Sequence, residues 1–79
     1  MSLYYFNYQI NITSLDDHGT EIADLKGLRK EAVRASQEFF VTGEANPEFW
    51  EGEPAKVWVT DGPSGSGNTV LTMELSVRN

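Results

Sequence analysis

The chain has 79 residues, 12 acidic and 6 basic side chains, a net charge of −6 and no cysteine. That length allows one domain, of a size that buries only roughly 60% of the surface its unfolded chain exposes. No disulfide or thiolate-metal site can brace it, a phosphate backbone is repelled unless the few cations cluster, and no apolar run approaches the ~20 residues of a membrane span.

Leu3 to Ile12, LYYFNYQINI, alternates as a strand. Tyr4, Phe6, Tyr8, Ile10 and Ile12 share the face expected to meet the core; Leu3, Tyr5, Asn7, Gln9 and Asn11 share the other. Leu3 and Tyr5 are apolar on that second face, so a loop or a second subunit is expected to cover them.

Thr13 to Ala23 reads as a loop, since Asp16, Asp17 and Gly19 suit tight turns. Asp16, Asp17, His18 and Glu21 invite a cation site, but the spacing lacks the alternation and closing glutamate of a calcium loop, so a solvated acidic turn is expected. His18 is the one histidine in the sequence, which excludes a multi-histidine site.

Asp24 to Thr42 is the segment with a helical period. Leu25, Leu28, Ala32, Ala35 and Phe39 form an apolar stripe that Val33 and Phe40 widen, with Lys26, Lys30, Glu31, Arg34, Gln37 and Glu38 opposite. Asp24 is the expected N-cap and Gly43 the expected C-terminal stop. Arg34 is in reach of Glu31 and Glu38. The cations Lys26, Arg29, Lys30 and Arg34 are interleaved with acids, the pattern of a solvated helix face.

The run Asp16 to Leu25, D-D-H-G-T-E-I-A-D-L, followed by Arg29, Glu31 and Ala32, resembles the signature of a family of very small proteobacterial proteins of unknown function, frequent in rhizobia and their relatives. Tyr4-Tyr5-Phe6 matches that family's aromatic opening strand, and Val57 to Thr60 with Asp61 matches the first strand of its hairpin. The resemblance covers most of the chain and implies a β-α-β-β domain with no known activity. A longer hairpin loop, 62 to 68, and a linker containing Phe49 and Trp50, within 43 to 55, depart from the pattern.

Glu44 to Pro54 is a connection broken by Pro47 and Pro54. Of its adjacent aromatics Phe49 and Trp50, one is expected to seal the core edge and the other to lie on the surface, as a pin over the sheet or as a partner anchor. Lys56 to Asp61 and Thr69 to Val77 read as a hairpin, with Val57 and Val59 opposed to Trp58, and Leu71, Met73, Leu75 and Val77 opposed to Val70, Thr72 and Glu74. The glycine-rich Gly62 to Asn68 has no Gly-Lys-Ser/Thr ending and no following helix, so a flexible hairpin tip is expected rather than a phosphate loop.

The expected fold is α+β: a three-stranded sheet with one amphipathic helix on one face, a right-handed crossover from the first strand, and order 1-3-2. The function expected is that of a non-enzymatic cytoplasmic interaction module without metal or cofactor. It is expected to form a homodimer, burying the open face at Tyr5 and Trp58 or joining edge strands, with Phe49 and Trp50 as further contacts or as a cap within one chain. The alternative is a small-ligand or catalytic accessory protein using the Asp16 to Glu21 turn, with His18 as acid or base beside Asp17 and Glu21. Nucleic-acid binding by stacking on tyrosine and tryptophan stands third, disfavoured by charge.

Overall fold

The computed structural model describes residues 2–9, 13–43 and 50–76, with the backbone alone for 38–43. The described elements are strands β1 (Ser2–Gln9), β2 (Thr13–Ser14) and β3 (Thr20–Ile22), helix α1 (Leu25–Gly43), and strands β4 (Ala55–Thr60) and β5 (Thr69–Leu75), with a tight turn at Pro63–Gly65 between the last two. The class is α+β, with helix α1 packed on an antiparallel sheet. No helix among the described residues is long and apolar enough to cross a membrane.

The sheet has five strands rather than three, in the order β2-β1-β4-β5, with β3 also on β1. Thr13 to Ile22 is therefore not a plain loop. It returns along β1 as two short strands, pairing Tyr8 with Ser14 and Gln9 with Thr13, then Tyr4 with Thr20, Leu3 with Glu21 and Ser2 with Ile22. β1 and β4 are adjacent and antiparallel, pairing Phe6 with Val59 and Tyr8 with Val57, so the expected order 1-3-2 and the crossover from the first strand are both overturned. The physical reason is the returning segment. It brings the chain back along β1 before the helix starts, and a helix of 19 residues, about 28 Å long at 1.5 Å per residue, then carries it up again. β3 and β4, each antiparallel to β1, run parallel to each other on its two sides.

Asp24 caps α1 as expected, its Oδ1 accepting from Gly27 N at 2.7 Å. The helix continues through Gly43 instead of stopping before it. The buried stripe is narrower than the spacing suggested: Leu28, Ala32, Ala35 and Ser36 are buried, whereas Leu25 and Val33 are 54% and 50% exposed. Small side chains let the helix approach closely, and the Ser36 hydroxyl is satisfied internally by donating to Ala32 O at 2.8 Å. The core gathers Phe6, Ile22, Leu28, Ala32, Ala35 and Val59, edged by Tyr4, Tyr8, Leu71 and Met73. Ile10, Ile12, Val77 and the side chains of Phe39 and Phe40 lie outside the described residues.

The largest departure from the sequence pattern is Asn7. Alternation puts it on the wet face of β1, yet it is fully buried. Its Nδ2 donates to Tyr5 O, Trp58 O and Thr60 Oγ1 at 3.2 to 3.3 Å, and its Oδ1 accepts from Asp16 N at 3.0 Å. The turn after β4 supplies the lid. Ser64 N donates to Asp16 O at 2.8 Å, and since Asp16 lies beyond β1 from β4, the turn crosses β1 on the face that carries Asn7. Gly62 to Asn68 is thus a folded cover, not a flexible tip. Its base is tied by Asp61 N to Asn68 O at 3.1 Å and by Asn68 N to Asp61 Oδ1 at 2.7 Å. Ser64, Gly65 and Gly67 take positive φ to make the bend.

Asn7→Ala is expected to cost about 3 kcal/mol, because several buried partners lose their hydrogen bonds at about 1 to 3 kcal/mol for each group left unpaired. Gln9→Ala, at an exposed position of the same strand, should stay within about 0.5 kcal/mol of wild type. Urea denaturation of both variants checks this; an unchanged midpoint for Asn7→Ala would contradict the role given to that side chain.

Candidate functional site

Two features remain as sites: the turn between β2 and β3 with the cleft beside it, and the edges of the sheet. The turn exists because the two sides of the β1 pairing are unequal. Between the Tyr4–Thr20 and Tyr8–Ser14 pairs, β1 spends three residues and the returning chain five. The surplus bulges outward, and the backbone ladder is interrupted at Phe6. Asp16 repairs it. Its Oδ2 accepts from Phe6 N at 3.1 Å, and its Oδ1 accepts from His18 N and Gly19 N at 3.0 and 3.3 Å. Asp16 is therefore not a solvated member of an acidic turn but the substitute for a missing strand carbonyl. Gly19, at φ +79°, lies under the Tyr5 ring so closely that a Cβ there would stand 2.9 Å from Tyr5 Cε1.

Burial of the Asp16 carboxylate by itself pushes its pKa up. The three backbone donors, aided by the charge of His18, outweigh that and hold it below its ordinary 3.8. The Arg34 guanidinium beside Glu31 likewise holds that carboxyl below 4.5, burial opposing. Arg34 Nε donates to Glu31 Oε1 at 2.9 Å, and its Nη2 contacts the same oxygen. The pair to Glu38 involves a side chain outside the described residues.

An open cleft of about 350 Å³ lies between this turn and α1, lined among others by Tyr8, Asp17, His18, Thr20, Glu31 and Arg34. The helix thus faces the turn with a second element, which the sequence alone did not provide. The chemistry available there is thin. His18 is 94% exposed at its side chain, with Nε2 3.4 Å from Asp17 Oδ1, itself largely exposed. Glu21 is exposed on β3, and no group of three or more histidine, aspartate or glutamate residues among those described is arranged to hold a metal ion. Asp16 is engaged with the backbone and Glu31 with Arg34. Among the described residues of the cleft, no nucleophile stands against a base held in place by a third group.

The four residues expected to mediate contact are dispersed. Tyr5 is half-buried by the turn that carries Gly19, and Trp58 is half-buried with the Lys56 ammonium 5.1 Å from its ring centroid. Trp50 is 52% exposed, and Phe49 lies outside the described residues. The face opposite the helix is thus partly roofed by the chain itself, at Tyr5 and Asn7, and is a smaller apolar surface than alternation alone suggested.

The sheet edges differ. One is made of β2 and β3, of two and three residues, interrupted by the bulge and bearing Asp17, His18 and Glu21. Short strands, a bulge and charges are the ordinary means of blocking strand addition. The other is β5, seven residues long, TVLTMEL, with no partner beyond β4 among the described residues. It has no lysine, arginine or proline, and one charge, Glu74. A register shift opposite Val59 and Thr60 leaves Val70 as an extra residue, so Leu71 to Leu75 is its regular part.

The chain matches no known family, no curated protein and no solved structure. The family resemblance accordingly rests on the residues that carry it, Asp16 to Leu25 with Arg29, Glu31 and Ala32, Tyr4 to Phe6, and Val57 to Thr60 with Asp61.

Because Asp16 titrates lower in the folded than in the unfolded chain, the stability it supplies is complete above pH 3.8 and is lost as pH falls through its folded value. Asp16→Asn puts an amide or a single acceptor where two carboxylate oxygens serve three donors. The gap in urea midpoint between wild type and this variant should be wide at pH 7 and shrink below about pH 3.8; Glu31, present in both, cancels. A gap independent of pH would contradict the assignment.

Proposed function

We propose that this protein is a non-enzymatic association module that self-associates through the outer edge of β5. The observation that carries this reading is the contrast between the two sheet edges: one short, bulged and charged, the other long, uncharged except at Glu74, and lacking a partner among the described residues. Unpaired strand groups are a template for another strand, and main-chain hydrogen bonds give such addition its affinity. Leu71 and Met73 are half-buried against the core, Met73 Sδ lying 3.7 Å from Ser36 Oγ of α1, and Leu75 is 39% exposed, so the apolar row of the core runs out to this edge.

The cleft beside the turn supports a ligand-binding reading less well, because its acids are already engaged or lie in solvent. The edge reading also replaces the back-face dimer, since Tyr5 and Trp58 are each half-covered within one chain.

One strand pair makes an interface at the small end of the known range, below about 1,200 Å² in total, so the association is reversible and concentration-dependent. Each subunit brings a net charge of −6, and salt screens that repulsion. Sedimentation equilibrium should give a mass rising above 8.8 kDa with protein concentration, and rising further with added salt. Leu75→Lys, an exposed position, should lower the association without unfolding the chain, while Trp58→Glu should leave it. A mass fixed at one chain would overturn the reading; dissociation by Trp58→Glu alone would move the contact to the back face.

A further inference from the structure

Resting on that edge reading, we infer that the strand added to β5 is β5 of a second copy, in one register: antiparallel about a two-fold axis through Met73. A two-fold normal to the sheet is the symmetry that sets a strand beside its own copy antiparallel, and it keeps both helices on the same side of the joined sheet. Directly opposed residues then share a face, so the axis must pass through a residue position. The extra residue at Val70 ends regular pairing at one side, and the strand ends at Leu75 on the other. The regular edge is Leu71 to Leu75, and its centre is Met73.

That register joins the two apolar rows. Leu71, Met73 and Leu75 all lie on the helix side, as their pairing with Val59, Val57 and Ala55 dictates. About Met73, Leu71 meets Leu75 of the copy, Met73 meets itself, and every apolar residue of the row has an apolar opposite. An axis through Thr72 instead sets Leu75 against Thr69 and draws the irregular Val70 into the pairing. On the other face, Thr72 meets Glu74 of the copy. The two Glu74 carboxylates fall on a diagonal, whose residues stand roughly 7 to 8 Å apart, and each Glu74 is paired across β4 with Lys56, a cation on its own subunit.

Single-cysteine variants read the register directly, because the chain has no cysteine of its own. Thr72 and Glu74 are exposed, so Thr72→Cys and Glu74→Cys can be made without opening the core. Directly opposed strand residues have Cα atoms about 4.5 to 5.5 Å apart, within the roughly 4.4 to 6.8 Å that a disulfide spans, whereas diagonal ones lie outside it. Mixed in equal amounts and mildly oxidised, the two variants should give the mixed disulfide in about fivefold or greater excess over both symmetric ones, as the geometric window requires. A dimer by sedimentation that yields mainly the Thr72→Cys symmetric disulfide, or no disulfide, overturns this register and leaves edge association standing. A monomer by sedimentation at every concentration overturns the association reading itself.

Discussion

The structure depends on one exchange between two polar side chains. Asn7 Oδ1 accepts from Asp16 N, and Asp16 Oδ2 accepts from the neighbouring Phe6 N, at 3.0 and 3.1 Å. Across a break of five residues against three, these two bonds stand in for the ladder that β2 and β3 cannot supply. The same two residues hold the rest together. Asn7 also binds the carbonyl of Trp58 and the hydroxyl of Thr60 on β4, and Asp16 O receives Ser64 N from the turn before β5. A buried polar network with its partners satisfied specifies one arrangement, and no buried side-chain nitrogen or oxygen among the described residues lacks a hydrogen bond.

This exchange decides how the sheet ends. By letting Thr13 to Ile22 fold along β1, it closes one side with two short, charged, interrupted strands, so the first strand becomes interior. It draws the turn after β4 over Asn7 and so roofs part of the back face. Among the described residues, what remains unprotected is β5. The proposed association at β5 is thus the counterpart of what the Asn7–Asp16 bonds seal elsewhere.

The sequence pattern reached the helix, its Asp24 cap, the hairpin of β4 and β5, and the opposition of Val57 and Val59 to Trp58, because each is written in local spacing or in one capping side chain. It did not reach the role of Asn7. A period of two assigns a side chain to a face but not to what lies over that face, and the cover comes from Ser64, 57 positions later. β2 and β3 were missed because two or three residues carry no period, and their pairing rests on a side chain replacing a carbonyl. The helix stripe was read too wide at Leu25 and Val33, since apolar residues at the margin of a helix face are buried only where the sheet beneath extends that far. The contrast between the sheet edges was not legible, because it follows from strand order.

The central claim is that β5 carries the open edge at which copies of this chain meet. Amide hydrogen exchange along Leu71 to Leu75, measured residue by residue in dilute and in concentrated protein, tests it most directly. Amides facing β4 should be protected in both samples, and the alternate amides facing outward should become protected only in the concentrated one. Outward amides that exchange equally fast at every concentration, in protein that nonetheless associates, would place the contact elsewhere and contradict the account.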